Sequence, residues 1–339
     1  MKKTRVLVLF DTDADPPASQ DYKKELEASE EAEFDVARAL IGKGHEVRFL
    51  GFKSDLDQLA QGLRAAPADV VFNLTERFRD QSALDYTVAA VLEMLGMSYT
   101  GASCEGLMLA RDKALTKKVL AYEGIRIPHF MVCKQGATLT RPSDLRFPLI
   151  VKPLDEDASV GIAQASVVRD DDALKERVTF IHEKFDTDAI VEEFIAGREL
   201  YIGVMGGETP VSFPPIEMVF ATDSTVESRI ATFKAKWSVK YRESKGIQNE
   251  IAKNLSSELR KRLGEVAVRA YQAAGLRDYG RIDVRLAHDE AIYVVEANPN
   301  PYLADGEDLA WAAEEGGYLY PDFIEKIAEM ACRRAKRRA

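Results

Sequence analysis

The sequence predicts an α/β protein in which a doubly wound opening unit leads into lobes of mixed α+β character. Two observations carry that expectation. Strand and helix patterns alternate through roughly the first hundred residues, as parallel sheets require. Beyond them strands follow one another closely, and the last two, Gly280–Leu286 and Tyr293–Asn298, alternate apolar and polar residues on either side of the turn-prone Ala287-His-Asp-Glu290.

Arg5–Phe10 is a continuous apolar run, as in a strand buried on both faces, and it ends in the polar cluster Asp11–Pro17. The acidic run 23–39 places Leu26, Phe34, Ala37 and Leu40 on one helix face, and Gly42 and Gly44 end it. His45–Leu50 and Ala68–Leu74 are the next strands, with a weak helix (Leu56, Leu59, Leu63) between them and an apolar helix over 83–95 after them. In such sheets ligands gather beyond the carboxyl ends of the strands, which marks Asp11, Asp13, Asn73, Thr75 and Glu76, with Arg77 and Arg79 nearby. Ordinary loop polarity accounts for each of them equally well. Gly101-Ala-Ser103 reads as a linker into a helix over 107–122. Ile125–Val132 is extended, and Phe147–Pro153 is a strand that ends on Lys152. A return strand begins at Ser159, and 174–185 is a helix. Ala189–Ile195 and Glu199–Met205 are strands broken at Ala196-Gly-Arg198. These spans divide the chain into an opening unit (1–106), a central lobe (107–188) and a C-terminal lobe (189–339).

The chain has 339 residues and a net charge of −10, which argues against a nucleic-acid or anionic-membrane partner. The basic tail Arg333–Arg338 follows an amphipathic run and reads as the solvated, dipole-matched end of a last helix. Three widely spaced cysteines form neither a disulfide framework nor a zinc knuckle. No apolar run approaches membrane-spanning length, and Val6–Phe10 is too short for a signal-peptide core, so the chain reads as cytoplasmic. A homodimer stays open.

Asp283 sits on the first strand of the final pair, and Glu296 and Asn298, two residues apart, share a face of the second. Two carboxylates and an amide oxygen are a hard donor set, suited to Mg²⁺ or Mn²⁺ carrying phosphates and unsuited to zinc or copper. The alternative is a hairpin with charges on its wet face. Asn298-Pro-Asn-Pro301 stops the strand directly after the ligands, and Arg281 sits beside Asp283, which favours the metal. Lys152 projects from a strand end toward the following loop, and Lys113 on the preceding helix is a second phosphate cation. The loop Asp155–Gly161, including Ser159 and Val160, offers backbone N–H groups to phosphate oxygens. Glu192 and Glu199, with the backbone of Glu193 and Ile195 between them, suit adenine and ribose. Surface lysines and glutamates taken singly carry little weight. No Walker loop or Gly-x-Gly-x-x-Gly is present.

The order Lys113, Val151-Lys-Pro153, Val191-Glu-Glu-Phe-Ile195, Gly197-Arg-Glu199, Gly280-Arg-Ile-Asp283 and Glu296-Ala-Asn-Pro-Asn300 resembles the ATP-grasp superfamily, in its D-alanine–D-alanine ligase branch. Leu95–Gly101 and Asp112–Lys117 look like that branch's domain junction, and the resemblance covers almost the whole chain. It implies an ATP-grasp fold behind the opening unit and an enzyme that phosphorylates a substrate carboxylate, lets an amine attack, and releases ADP and phosphate. Carried over, Lys113 and Lys152 would bind phosphates and Glu192 and Glu199 the adenosine. Lys236 would cover the γ-phosphate, Asp283, Glu296 and Asn298 would hold Mg²⁺, and Arg281 would stabilise the tetrahedral intermediate.

The departures concern substrate. The branch's Gly-Gly-x-Ser-x-Glu loop is replaced by Asp11–Pro17, and Ala158 and Trp237 stand where it has a serine and a tyrosine or phenylalanine. Tyr302–Asp308, with Asp305 and Glu307, replaces the run that grips the acceptor carboxylate, and acids there favour a cationic or neutral acceptor. Tyr302, Asp305, Glu307, Trp237 and Glu76 are thus the substrate candidates. The expected activity is a ligase appending amino acids to metabolites or peptides. D-alanine–D-alanine ligation, and a catalytically silent ATP-binding subunit or sensor, are the alternatives.

Overall fold

In the computed structural model, the described residues are 3–338 apart from 14, 18, 157–158 and 221–229. Asp157 and Ala158 of the expected phosphate loop therefore lie outside them.

Strands β1 (Arg5–Asp11), β2 (Glu46–Phe52) and β3 (Val70–Asn73) form a parallel sheet in the order β2-β1-β3. Alternation along β1 sends Val6, Val8 and Phe10 to one core and Leu7 and Leu9 to another. The first core is covered by α1 (Lys23–Ala28) and α2 (Ala32–Gly42), the second by α3 (Leu56–Ala65) and α4 (Asp85–Met94). Helices on both faces make this unit doubly wound. The single helix expected over 23–39 is two, because extended Ser29 breaks it and its Oγ accepts the Glu31 N–H at 3.2 Å.

The expected helix over 107–122 is likewise two, α5 (Cys104–Arg111) and α6 (Lys113–Tyr122). Asp112 is extended, ends the first and caps the second by accepting the Leu115 N–H at 2.8 Å. The central sheet runs β4-β7-β5-β6 from β4 (Phe130–Cys133), β5 (Leu149–Pro153), β6 (Val167–Val168) and β7 (Ala189–Glu193). Its Leu149, Val151 and Val191 face α7 (Asp171–Phe185), leaving Ile150, Lys152 and Glu192 on the other face. Two expectations move here. Residues 159–166 are turn and 3₁₀ backbone, so the return strand begins only at Val167. Residues 189–193 pair with β4 and β5, so a boundary after 188 would split the central sheet.

The second large sheet has the order β11-β10-β8-β12-β13, with β9 beside β8. Its strands are β8 (Gly197–Gly206), β9 (Val211–Ser212), β10 (Ile216–Val219), β11 (Gln248–Ile251), β12 (Asp278–Ala287) and β13 (Ile292–Asn298). Leu200, Ile202, Val204, Ile282, Val284 and Val294 bury one face against α10 (Ser257–Ala273). Glu199, Tyr201, Arg281, Asp283 and Arg285 are left for the other face, and a register shift opposite Asp283/Val284 brings Glu296 to it although Val294 faces α10. Short helices α8 (Phe233–Trp237) and α9 (Val239–Lys245) precede β11, and α11 (Asp308–Glu315) and α12 (Tyr320–Arg338) close the chain. Among the described residues no helix is long and apolar enough to cross a membrane.

The last helix does more than end the chain. It packs on α2 and β3, and Arg334 donates to both carboxylate oxygens of the fully buried Asp278 and, at 2.7 Å, to the Tyr99 carbonyl. Asp278 also accepts the Gly101 N–H at 3.0 Å, while Arg277 donates to the Gly101 carbonyl at 2.7 Å. The expected linker 101–103 is therefore clamped, and Arg334 departs from the solvated tail foreseen for it. Arg334→Ala, which leaves a buried carboxylate without its cation, is expected to cost about 3 kcal/mol or more in urea unfolding.

Candidate active site

The antiparallel registers of three strands set up the site. Asp283 on β12 stands opposite Tyr201 on β8 and Glu296 on β13, and Arg285 stands opposite Glu199. Arg281 pairs across to Asn298. Alternation, with the register shift between Val294 and Glu296 on β13, keeps these positions on the face away from α10. The central sheet contributes Ile150, Lys152 and Glu192 across a cleft of about 640 Å³. Pro128, Phe194, Ile195, Ile230 and Val295 supply apolar lining.

Each buried carboxylate here meets a cation. Glu192, 1% exposed, accepts from Lys152 at 3.0 Å and lies 3.3 Å from Lys117 Nζ. Burial opposes ionisation of Glu192, but Lys117 and Lys152 outweigh it and hold the carboxyl below its ordinary value. Glu199 Oε2 accepts from Arg285 at 2.9 Å and from the Ala231 N–H at 3.3 Å, and Oε1 accepts from the Tyr201 hydroxyl at 3.1 Å. Both Asp283 oxygens accept from Arg281, at 2.7 and 3.0 Å. Burial pushes the Asp283 carboxyl up in spite of that pair. Burial acts on Glu296 in the same sense, yet Lys113, Lys236, Lys152 and Arg281 together hold it well below the usual carboxylate range.

Lys113 opens α6, where it is buried, donates to the Glu156 carbonyl and stands 3.5 Å from Glu296. Lys236, on α8, faces the cleft directly. That helix is tied down, since Phe233 N–H donates to the Ile162 carbonyl at 3.1 Å and Arg242 donates to the Ala235 carbonyl at 2.8 Å. The turn 159–162 beneath it has Ser159 and Gly161 at φ 61° and 73°, and buried Arg177 holds the Gly161 carbonyl from behind at 2.6 Å. A Cβ at Gly161 would come within 2.6 Å of Pro153, so both conformation and space require glycine. Ser159 lines the cleft, whereas Val160 and Gly161 form the turn beside it. Glu193 lines the cleft with its carboxylate accepting the Arg146 N–H at 3.3 Å.

Asp283, Glu296 and Asn298 present two carboxylates and one amide on adjoining strands. Among the described residues no group of three or more His, Cys, Asp or Glu side chains is placed to cage a metal. Two carboxylates in a lysine-rich setting fit an Mg²⁺ ion that shares its coordination with phosphates, the usual habit of that ion.

A second cleft, of about 680 Å³, opens beyond the carboxyl ends of β1 and β3. Asp11, Glu31, Glu33 and Glu76 line it with Arg77, and the segment Asn300–Leu303, just past Asn298, forms its far wall. Asp11 accepts from the Glu76 and Arg77 N–H groups and from the Arg77 side chain at 2.6, 3.2 and 3.2 Å. Tyr302 is here, its hydroxyl accepting the Ala32 N–H at 3.3 Å. Of the substrate candidates, Glu76 and Tyr302 reach this cleft; Trp237, Asp305 and Glu307 are exposed and line neither.

Five charged or polar members escaped the sequence reading, among them Glu31 beside Glu33. Lys117 is one helical turn from Lys113, and Arg285 is two residues beyond Asp283. Tyr201 likewise alternates with Glu199. Those spacings were available as signals. Glu33 offered none, since an acid in an acidic helix is ordinary.

A family profile described as the D-ala D-ala ligase C-terminus matches residues 118–329. An uncharacterized protein of Sinorhizobium fredii is 32% identical over 304 residues, covering 88% of this chain and 87% of its own length. A D-alanine–D-alanine ligase of Desulforudis audaxviator is 30% identical over 300 residues, covering 87% of this chain and 91% of its own. The crystal structure of the D-alanine–D-alanine ligase from Bacillus anthracis complexed with ATP superposes with a TM-score of 0.75 at 22% identity, over 99% of this chain and 100% of that one.

The second cleft carries a pH signature. Burial, with Glu31 and Asp11 adding to it, raises the Glu33 carboxyl to about 7. A raised carboxyl favours folding fully below its unfolded value and loses that contribution as pH climbs through the folded one. Glu33→Gln is expected to raise the melting temperature at about pH 8 and to leave it unchanged near pH 4, as scanning calorimetry would register.

Proposed function

The chain belongs to the D-ala D-ala ligase family and has its ATP-grasp fold, and from that premise we propose that it joins a carboxylate to an amine through an acyl phosphate, at the expense of ATP. The observation that carries this reading is the single sheet face on which Glu199, Arg281, Asp283, Arg285 and Glu296 stand together, opposite Lys152.

On this reading adenine enters the apolar part of the cleft against the backbone of Glu193–Ile195, and the ribose hydroxyls meet Glu199, whose carboxylate Arg285 and Tyr201 hold in one orientation. Lys152 and Lys113 neutralise the phosphates, and Lys236 reaches the terminal one from α8. Glu192, expected at the adenosine, is engaged instead by Lys117 and Lys152 and serves to fix them. Asp283, Glu296 and Asn298 would hold Mg²⁺, which when bound supplies charge neutralisation at the phosphates. The substrate carboxylate oxygen attacks the γ-phosphorus and the bond to ADP breaks. The neutral amine then attacks the acyl carbon and loses a proton, and phosphate leaves with the bonding electrons and takes that proton up. Arg281, already oriented by Asp283, faces the oxyanion of that intermediate. The acids of the second cleft favour substrates carrying an amino group near the activated carboxylate.

D-alanine–D-alanine ligation, the activity named for several relatives, is the specific rival. A phosphate-release screen over amino acids and small carboxylates, with mass spectrometry of the products, separates the two: product from D-alanine alone would select the rival. Asp283→Asn should lower turnover about a hundredfold or more with an unchanged circular dichroism spectrum. ADP and phosphate are the expected products, and AMP with pyrophosphate would exclude the acyl-phosphate route.

A further inference from the structure

One buried side chain touches three of the residues assigned above without lining the cleft itself. Tyr201, only 3% exposed, donates its hydroxyl to Glu199 Oε1 at 3.1 Å. The Arg281 guanidinium lies 5.0 Å from the centre of its ring and the Lys236 ammonium 5.6 Å. Both are within the roughly 6 Å over which an aromatic face attracts a cation. Across the strand pair it stands opposite Asp283.

The hydroxyl and the ring do separate things. Glu199 Oε2 is held by Arg285 and the Ala231 N–H, so Tyr201 fixes the other oxygen and with it the plane of the carboxylate. Burial, then Glu199 and Asp283, raise the phenol well above its ordinary value, so it stays protonated and donating. The ring offers Lys236 a resting place whose attraction is weaker than a charge-assisted bond to phosphate. Lys236 is thus kept over the cleft yet free to move to an arriving phosphoryl group. Arg281, clamped at one end by Asp283, is kept from swinging away by the same ring.

We propose that Tyr201 is a positioning residue that couples the ribose carboxylate, through its hydroxyl, to the two cations of the transfer step, through its ring. This rests on the nucleotide-ligase reading above. The expected signature is a split between binding and turnover that core packing alone would not produce.

Tyr201→Phe keeps the ring and removes the hydroxyl. It should weaken ADP binding in calorimetry and raise the KM for ATP about tenfold, while kcat stays within about twofold. Tyr201→Leu removes both and should also lower kcat about tenfold, a loss that phenylalanine at the same position restores. Wild-type affinity for ADP in Tyr201→Phe would overturn the role of the hydroxyl, and equal kcat values in the two variants would overturn that of the ring. If the wild-type protein binds no ADP at all, the nucleotide reading and this inference fall together. ADP binding that is normal in wild type and unchanged in both variants removes the inference alone.

Discussion

The site depends on one electrostatic constraint: four carboxylates, Glu192 and Asp283 buried and Glu199 and Glu296 largely so, surround a single cleft, and each must be neutralised where it stands. An isolated carboxylate in such surroundings would take up a proton or expel its strand, since desolvation costs several kcal/mol per ion. The chain meets that demand with partners from distant segments and, for Asp283, from its own strand. Lys117 and Lys152 come from α6 and β5 for Glu192, and Lys113 crosses from α6 to Glu296. Arg281 and Arg285 come from β12 itself for Asp283 and Glu199. Of these pairs, Lys113–Glu296 ties α6 to the C-terminal sheet and Lys117–Glu192 ties it to the central one, while the others fix side chains within their own sheets. They are not all equally balanced. Glu296 feels four cations and stays ionised with ease, whereas Asp283 is pushed the other way by burial. Cationic potential is therefore left over on the Glu296 side, which is where the proposed reaction needs to receive phosphates.

The β-sheet converts this constraint into geometry. Alternation gives α10 one face and the charges the other, so a strand that buries Leu200, Ile202 and Val204 presents Glu199 and Tyr201 without further instruction. Side-chain direction is thus a consequence of parity. That is why Arg281, Asp283, Glu296 and Asn298 were legible from sequence as one facing set. Strand partnership was not legible. Nothing in the residues themselves says that β8 pairs with β12 while β7, four residues earlier in the chain, joins β5 and β4. Breaking the chain at Gly197, whose φ is 147° and whose missing Cβ lets the Leu286 carbonyl approach, separates the two sheets there.

What stayed hidden follows from the same distinction between local and distant information. Asp112 and Ser29 break helices through a single capping or turn bond, which hydrophobic periodicity averages away. The Arg334–Asp278 pair joins positions 56 residues apart, so a basic tail looked like solvated charge until packing brought it to a buried acid. Asp305 and Glu307 show the reverse case. Their place just after the ligand strand suggested contact with substrate, but the chain turns at Gly306 and α11 begins, leaving both acids at the surface.

The two clefts differ in sign, and one short segment connects them. Around the first, Lys113, Lys152 and Lys236 surround Glu296; around the second, Asp11, Glu31, Glu33 and Glu76 outnumber Arg77. Asn298-Pro-Asn-Pro301 spans the gap: Asn298 ends the ligand strand, while Asn300 accepts the Ala102 N–H at 3.1 Å and lines the acidic cleft. Its two prolines restrict that span, so the polarity gradient is set over a stiff connection rather than a loop free to relax. A substrate with a carboxylate at one end and an ammonium at the other is oriented by such a gradient before any specific contact is made. The carboxylate is drawn toward the phosphoryl donor and the ammonium away from it. On the proposed reading, the acids of the second cleft therefore select the orientation of the activated substrate as well as its charge.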